Sequence, residues 1–313
     1  MIGYLVRRVF QSLVVIIGVT IITFILLHLL PGNPVVAILG PRATHADVVA
    51  LTNQLGLNKP LPQQYLIWLS NLAHLNLGYS YKQTESVDAL LAARLPNTLL
   101  LVGTSTVLAI LVAVPLGVLQ SVRRNKPDDY VMTGLTFVFY SMPTFWLGIL
   151  LIIVFSATLH WLPAEAPQAQ NSLLSQVNGL VLPVVTLALV TLALFSRYMR
   201  SSMLENLVQD YVRTARAKGV SGRAVLFRHV LRNALLPLLT LIGLSIPGII
   251  SGAVVTETVF NYPGMGYLFV QSAFGYDYPV LLGVTVVVAL ATVIGSLVAD
   301  ILYAVADPRI RYV

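Results

Sequence analysis

Between residues 197 and 237 the chain reads RYMRSSMLENLVQDYVRTARAKGVSGRAVLFRHVLRNALLP. Eight Lys/Arg residues fall in this island, which lies between two stretches apolar enough to cross a bilayer. Arg213 and Arg216 are three apart and Arg228 and Arg232 four apart, so each pair shares a helix face. The spacing predicts a helix over 204–218 that Gly219 closes, because glycine tolerates the left-handed cap conformation. Ser221 is then placed to N-cap a second helix running toward residue 235. Helix, sharp turn and helix, tethered by a span on either side, make a short rigid knob suited to docking something in the cytoplasm. Charge alone fits the topological preference of Lys/Arg for cytoplasmic loops equally well. The turn glycine and the two ordered helices go beyond what topology requires.

Other chemistry is sparse. The chain has no cysteine, which removes disulfides, thiolate nucleophiles and Cys-ligated metal. It has no G-x-x-x-x-G-K-[ST], so it cannot cradle nucleotide phosphates by a P-loop, and no H-E-x-x-H among its five histidines. No His pair has metal-ligand spacing on one helix; His28 reads as a packed or interfacial residue. Ionisable groups within spans are functional suspects, and two stand out. Asp300 lies near the inner end of the last span, within reach of the interface or of an arginine such as Arg309. Glu257 lies just beyond the outer end of the fifth and is the better candidate for an outer gate. Neither sits at a midplane, where ion-coupled carriers keep their ion sites. An ion-coupled secondary transporter or channel, and a membrane-embedded enzyme, are thereby the weaker alternatives.

The elements that must carry the knob follow from composition. Of 313 residues, 57% are hydrophobic and 10% charged, against roughly 25% charged in soluble domains. That is a polytopic membrane protein, and span-rich topology accounts for the net charge of +7 better than nucleic acid does. About 20 apolar residues cross a hydrocarbon core, which gives six spans at 9–30, 98–120, 131–157, 180–198, 235–256 and 279–303. All should be helices. Of the 19 Lys/Arg, 15 fall in the N-terminus, the 121–130 loop, the island and the C-terminal tail. Both termini are therefore expected in the cytoplasm. In the long outer segment, prolines 60 and 62 start a helix whose Tyr65, Trp68, Leu69 and Leu72 share one face. That face lies either on the membrane surface or on its own bundle. Prolines 115, 143, 183, 237 and 247 fall in or at the ends of spans and can kink them. Gly248 and Gly252 offer a small-residue face for close helix contact.

The stretch DYVRTARAKGVSGRAVLFRHVLRNALLP resembles the EAA loop of bacterial ABC importer permeases, in the form of the dipeptide/oligopeptide/nickel (DppB/OppB-like) group. Ala215, Gly219 and Leu236-Pro237 match the general pattern, while Arg213 and Thr214 replace its Glu and first Ala. Outside the loop, LPGNP at 30–34 is similar to that group's LPGDP, with Asn33 for Asp. LGLNKP at 55–60, LG at 77–78, LPNT at 95–98, ETVFNYPGMG at 257–266, DYP at 277–279 and DPRIR at 307–311 also match in order.

The resemblance implies an all-α, six-span type I importer permease (MetI-like) fold. Its parts would be a first span at 1–30, an extracytoplasmic segment at 31–97 and a permease core at 98–313. It implies half of a translocation pore in the bacterial inner membrane, pairing with a second, homologous permease. One or two ABC ATPase subunits carry ATP and Mg2+, an extracytoplasmic substrate-binding protein docks outside, and lipid surrounds the spans. This chain itself would hold no cofactor, no metal and no catalytic residue, and would bind no nucleic acid. The ATPase contact is implied for Arg213, Thr214, Ala215, Arg216, Ala217, Lys218, Gly219, Val220, Ser221 and Arg223. Mild polar groups are expected along the pore or gate: Thr104, Ser105, Ser141, Thr144, Ser245 and Ser251, with Glu257. Di- and oligopeptides are the first expectation for cargo, then glutathione-like peptides or chelated nickel.

Overall fold

Lipid offers open backbone groups nothing to pair with, and the chain is helical almost throughout. The computed structural model describes residues 2–29, 32–40, 42–166 and 173–306. In chain order these form α1 (Ile2–Leu29), α2 (Pro34–Leu39), α3 (His45–Gln54), α4 (Leu61–Ala73), the hairpin of β1 (Tyr79–Ser80) and β2 (Glu85–Ser86), and α5 (Val87–Val122). There follow α6 (Pro127–Ser141), α7 (Thr144–Leu151) with a π-helical continuation Ile152–Thr158, and α8 (Leu173–Leu207). The last are α9 (Asp210–Ala217), α10 (Gly222–Ala224) with a π-helical stretch Val225–Val230, α11 (Leu231–Val259), α12 (Met265–Gly275) and α13 (Tyr278–Ala306).

Among the described residues, five helical stretches are long and apolar enough to span: Phe10–Leu29, Val87–Val122, Ser175–Leu207, Gly222–Gly243 and Tyr278–Val298. A bent pair, Pro127–Ser141 with Thr144–Thr158, turned by 108°, makes a sixth if its two helices count as one span. This corrects the expectation of one continuous third span over 131–157. The cause is local: Met142 precedes Pro143 and is extended (φ −81°, ψ 129°), as the pre-proline clash demands. The second span starts at Val87 rather than 98, since α5 runs on through Pro96. Between the expected spans 235–256 and 279–303 lies α12, which at 11 residues is too short to span.

Two compact units can be distinguished: residues 1–98 with 263–293, and 99–262 with 294–312. In the first, Phe24, Leu27, Tyr278, Leu281 and Leu282 form a cluster against which Tyr65 and Trp68 pack. The Tyr65 hydroxyl lies 3.0 Å from that of Thr20. The apolar face of α4 is thus seated on its own bundle, which decides between the two alternatives for that helix. His28 is packed as expected, with Nδ1 2.7 Å from the Phe24 carbonyl and Nε2 3.3 Å from Gln64 Oε1. Asn33 caps α2 by accepting the Val35 N–H at 2.9 Å. A second cluster gathers Val87, Leu90, Leu91, Met265, Leu268, Val280 and Val284. There the Thr98 hydroxyl accepts the Met265 N–H at 2.8 Å, and Asn97 donates to the Pro263 carbonyl at 2.8 Å.

In the second unit, α8 is the central rod, packed on α6, α7 and α11. Phe195, Met199 and Met203 on its face are fully buried. Gly117 of α5 meets α8 so closely that an added Cβ would lie 2.6 Å from Met199 Cβ, so only glycine permits the approach. The side chains at 248, 252, 300 and 309, invoked above for packing and pairing, lie outside the described residues.

Candidate coupling site

The elbow in the island is built by local sequence. α8 ends at Leu207, Gln209 is extended (φ −72°, ψ 151°), and α9 starts at Asp210. The helix expected over 204–218 is therefore two pieces, with the chain turning at 208–209. Along α9 only Val212 and Ala215, three apart, are buried, as a one-faced amphipathic turn requires. They join the core formed by Val225, Val230 and Phe195, with Leu207, Tyr211 and Val220 packed around them. Arg213, Thr214, Arg216, Ala217 and Lys218 all face outward.

The C-terminus of α9 is a Schellman motif: the Gly219 N–H donates to the Arg216 carbonyl at 3.0 Å and the Val220 N–H to that of Ala215 at 3.1 Å. Gly219 holds φ +78°. Ser221 then caps the next helix, its hydroxyl accepting the Ala224 N–H. That helix does not stop near 235 as expected. α10, the π-helical stretch and α11 run on from Gly222 to Val259 without interruption, so knob and span are one rod.

Of the eight cations in the island, two are used within the unit. Arg197 lies 4.5 Å over the Tyr140 ring, a cation–π contact. Arg200 clamps Asp129 with Nε at 3.1 Å and Nη2 at 2.8 Å. Asp129 is 2% exposed and also accepts the Asn125 N–H, so this fork fastens the start of α6 to α8. Ser202 donates to the Ala234 carbonyl at 2.9 Å, tying α8 to α11. The other six, Arg213, Arg216, Lys218, Arg223, Arg228 and Arg232, remain exposed. Arg213 makes only a long contact with solvent-exposed Asp210 at 3.5 Å, which contributes little. The exposed ring of Phe227, 57% accessible, stands among these cations. No sequence signal singled it out. The surface is thus a cationic ledge with an aromatic step on an elbow, a form that can dock a partner.

The expected pore residues scatter. Thr104 and Ser141 are exposed and Thr144 and Ser245 half-buried. Ser141 and Thr144 flank the bend, and Ser141 lines a cleft with Phe137, Pro143 and Trp146. Ser105 is fully buried and donates to the Leu101 carbonyl at 2.6 Å, so its hydroxyl faces the unit's interior rather than a passage. The Ser251 side chain lies outside the described residues. Glu257 lies inside the last turn of α11, not beyond it, and is fully buried. The Tyr262 N–H donates to the Glu257 carbonyl at 2.8 Å. Burial, helped by the Glu257 charge, pushes the Tyr262 phenol up to about 12. Among the described residues no cluster of His, Asp or Glu is arranged to hold a metal ion.

Residues 92–312 match the family described as binding-protein-dependent transport system inner membrane component, and residues 1–102 match the N-terminal family of the same membrane components. The oligopeptide transport system permease protein AppB of Bacillus subtilis is 44% identical over 316 residues, covering 100% of both chains. The di/tripeptide transport system permease protein DppB of Pseudomonas aeruginosa is 38% identical over 337 residues, covering 100% of this chain and 99% of that one. Among solved structures, an inward-facing MetNI methionine ABC transporter chain is similar in fold, with TM-score 0.59 and 18% identity, over 70% of this chain and 96% of that one.

Proposed function

This chain belongs to the family of binding-protein-dependent transport system inner membrane components, and from that membership we propose that it is the permease half of an ATP-driven peptide importer. The elbow over 210–223 docks in a groove of a separate ATPase subunit. ATP and Mg2+ act there and not on this chain, which performs no catalysis itself. A second, homologous permease completes the pore. A binding protein delivers substrate on the side of residues 31–97, and both termini lie in the cytoplasm, where the excess of Lys/Arg sits. The polar groups at 104, 141, 144 and 245 face the passage when the halves meet, and Glu257 with Tyr262 stiffens its outer end.

One observation carries the reading: six exposed cations sit on α9 and on the rod from Gly222, which runs unbroken into a span, while a two-residue turn joins α9 to α8. A rigid body of that form passes a partner's motion into the membrane, and Arg suits docking against carboxylates. Full-length similarity to permeases named for oligopeptides and di/tripeptides supports peptides as cargo. The test is uptake of labelled di- and oligopeptides against labelled nickel in a strain lacking this chain. Peptide uptake should be lost and restored by the gene. Loss of nickel uptake alone would overturn the peptide assignment.

A further inference from the structure

Docking and coupling leave unused a pair of neighbouring cavities in the first unit. The larger, about 460 Å³, is lined by His28, Gln64, Trp68, Asn71, Lys82 and Asp277 among others. The smaller, about 350 Å³, shares Lys82 and Asp277 and adds Gln83, Gln271 and Ser272. Both volumes fall in the range of small-ligand sites.

Three polar groups here are incompletely satisfied. The Trp68 indole N–H and the Ser272 hydroxyl are buried with no hydrogen-bond partner among the described residues, and such groups call for an explanation. Asp277 is 7% exposed. Its carboxylate accepts from the Ser80 hydroxyl and the Val280 N–H, while burial pushes its pKa above the ordinary value. Lys82 acts on it through space and lowers its pKa, yet among the described residues no Lys or Arg forms an ion pair with it within 4 Å, although a buried carboxylate is normally paired. The bond from Val280 caps α13, but an ionised carboxylate has about four acceptor positions, so capping leaves room for more. Around these groups stand the rings of Tyr79, Tyr81 and Tyr276, the first two edge to face at 5.3 Å. A fitting ligand brings a cation for Asp277, acceptors for Trp68 and Lys82, and a partly apolar body. A short peptide's free amino end has all three.

We propose that these cavities hold the free amino terminus of a short peptide, its ammonium on Asp277 and its carbonyl oxygens on Trp68 and Lys82. The inference rests on the peptide reading above. It assigns a substrate-holding site to the permease itself, on the side where the binding protein would release cargo.

The test is equilibrium binding of radiolabelled trialanine to the complete permease–ATPase complex in nanodiscs, with the binding protein left out. Saturable binding is expected. It should weaken at least tenfold in Asp277→Asn, which keeps one acceptor oxygen for the Val280 N–H and an amide that can donate to the Ser80 hydroxyl, and several-fold in Lys82→Gln, whose exposed side chain puts folding at no risk. N-acetylated trialanine should compete at least tenfold more weakly than trialanine. Absence of saturable binding, variants that match wild type, or equal competition by the acetylated peptide would each overturn the site. If the complex with its binding protein still imported trialanine, the peptide reading would stand. If import also failed, both would fall.

Discussion

Gly219 gives the sharpest test of the elbow. Its φ of +78° lies in a region that costs an ordinary L-residue about 1–2 kcal/mol, and a β-branched residue more. A Cβ added there would meet nothing within 4 Å, so in the isolated chain the penalty is purely conformational. Two hydrogen bonds depend on the turn, at 3.0 and 3.1 Å. A penalty of about 1–2 kcal/mol shifts the closed-to-open ratio of the turn by a factor of about 5–30. Gly219→Val should therefore loosen the elbow while leaving the spans inserted. In the reconstituted transporter it should raise the ATP hydrolysed per peptide imported, or reduce co-purification of the ATPase. Gly219→Asn separates the causes, because asparagine tolerates the left-handed conformation. Recovery with Asn assigns the defect to backbone strain; failure with Asn as with Val assigns it to a side chain colliding with the partner. Uptake, hydrolysis and co-purification all unchanged in the Val variant would refute the coupling role.

Reversing charge with Arg213→Glu and Arg216→Glu should weaken ATPase association without altering membrane insertion, checked by co-purification against protease protection. Equal loss of insertion would show that these arginines serve topology alone. Arg200→Ala leaves Asp129 buried without its cation, and breaking such a pair costs about 3–5 kcal/mol when both partners are buried. Because Arg200 is 27% exposed, about 2 kcal/mol is the expected loss, read as a lowered thermal midpoint of the purified chain. Arg200→Lys should recover only part, since the fork is lost. Burial raises Asp277 above 3.8, so its contribution to stability is fully present below that value and is lost as pH rises through the folded pKa. The thermal midpoint of Asp277→Asn relative to wild type should accordingly climb from acid toward neutral pH. A pH-independent difference would contradict the assigned burial.

What could be read ahead was local. Gly219 and Ser221 act within one turn, so their residue types and spacing sufficed, whereas Ala215, expected at the ATPase contact, is buried beside Val212. The same holds for Pro60 and Pro62 opening α4. The turn at 208–209 carries neither Gly nor Pro, and tertiary packing of Leu207 and Tyr211 overrode a helical pattern that runs straight through it. Pro143 advertised a kink, but its 108° size depends on what α6 and α7 pack against. Contacts distant in sequence were beyond reach: Arg200 finds Asp129 71 residues away, and Ser80 finds Asp277 197 residues away. Ser105 was assigned to a passage by residue type alone, and the interior claimed it.

The unbroken helical rod from Gly222 into α11 leaves no slack for length variation. At about 100° and 1.5 Å per residue, one residue gained or lost between Arg232 and Ala234 would swing Arg223, Arg228 and Arg232 through more than a quarter turn while Ser202 kept hold of the rod at the Ala234 carbonyl. In this stretch the tally of residues is therefore as tightly constrained as their chemistry, and an insertion that a surface loop would absorb would here point the ledge away from its partner.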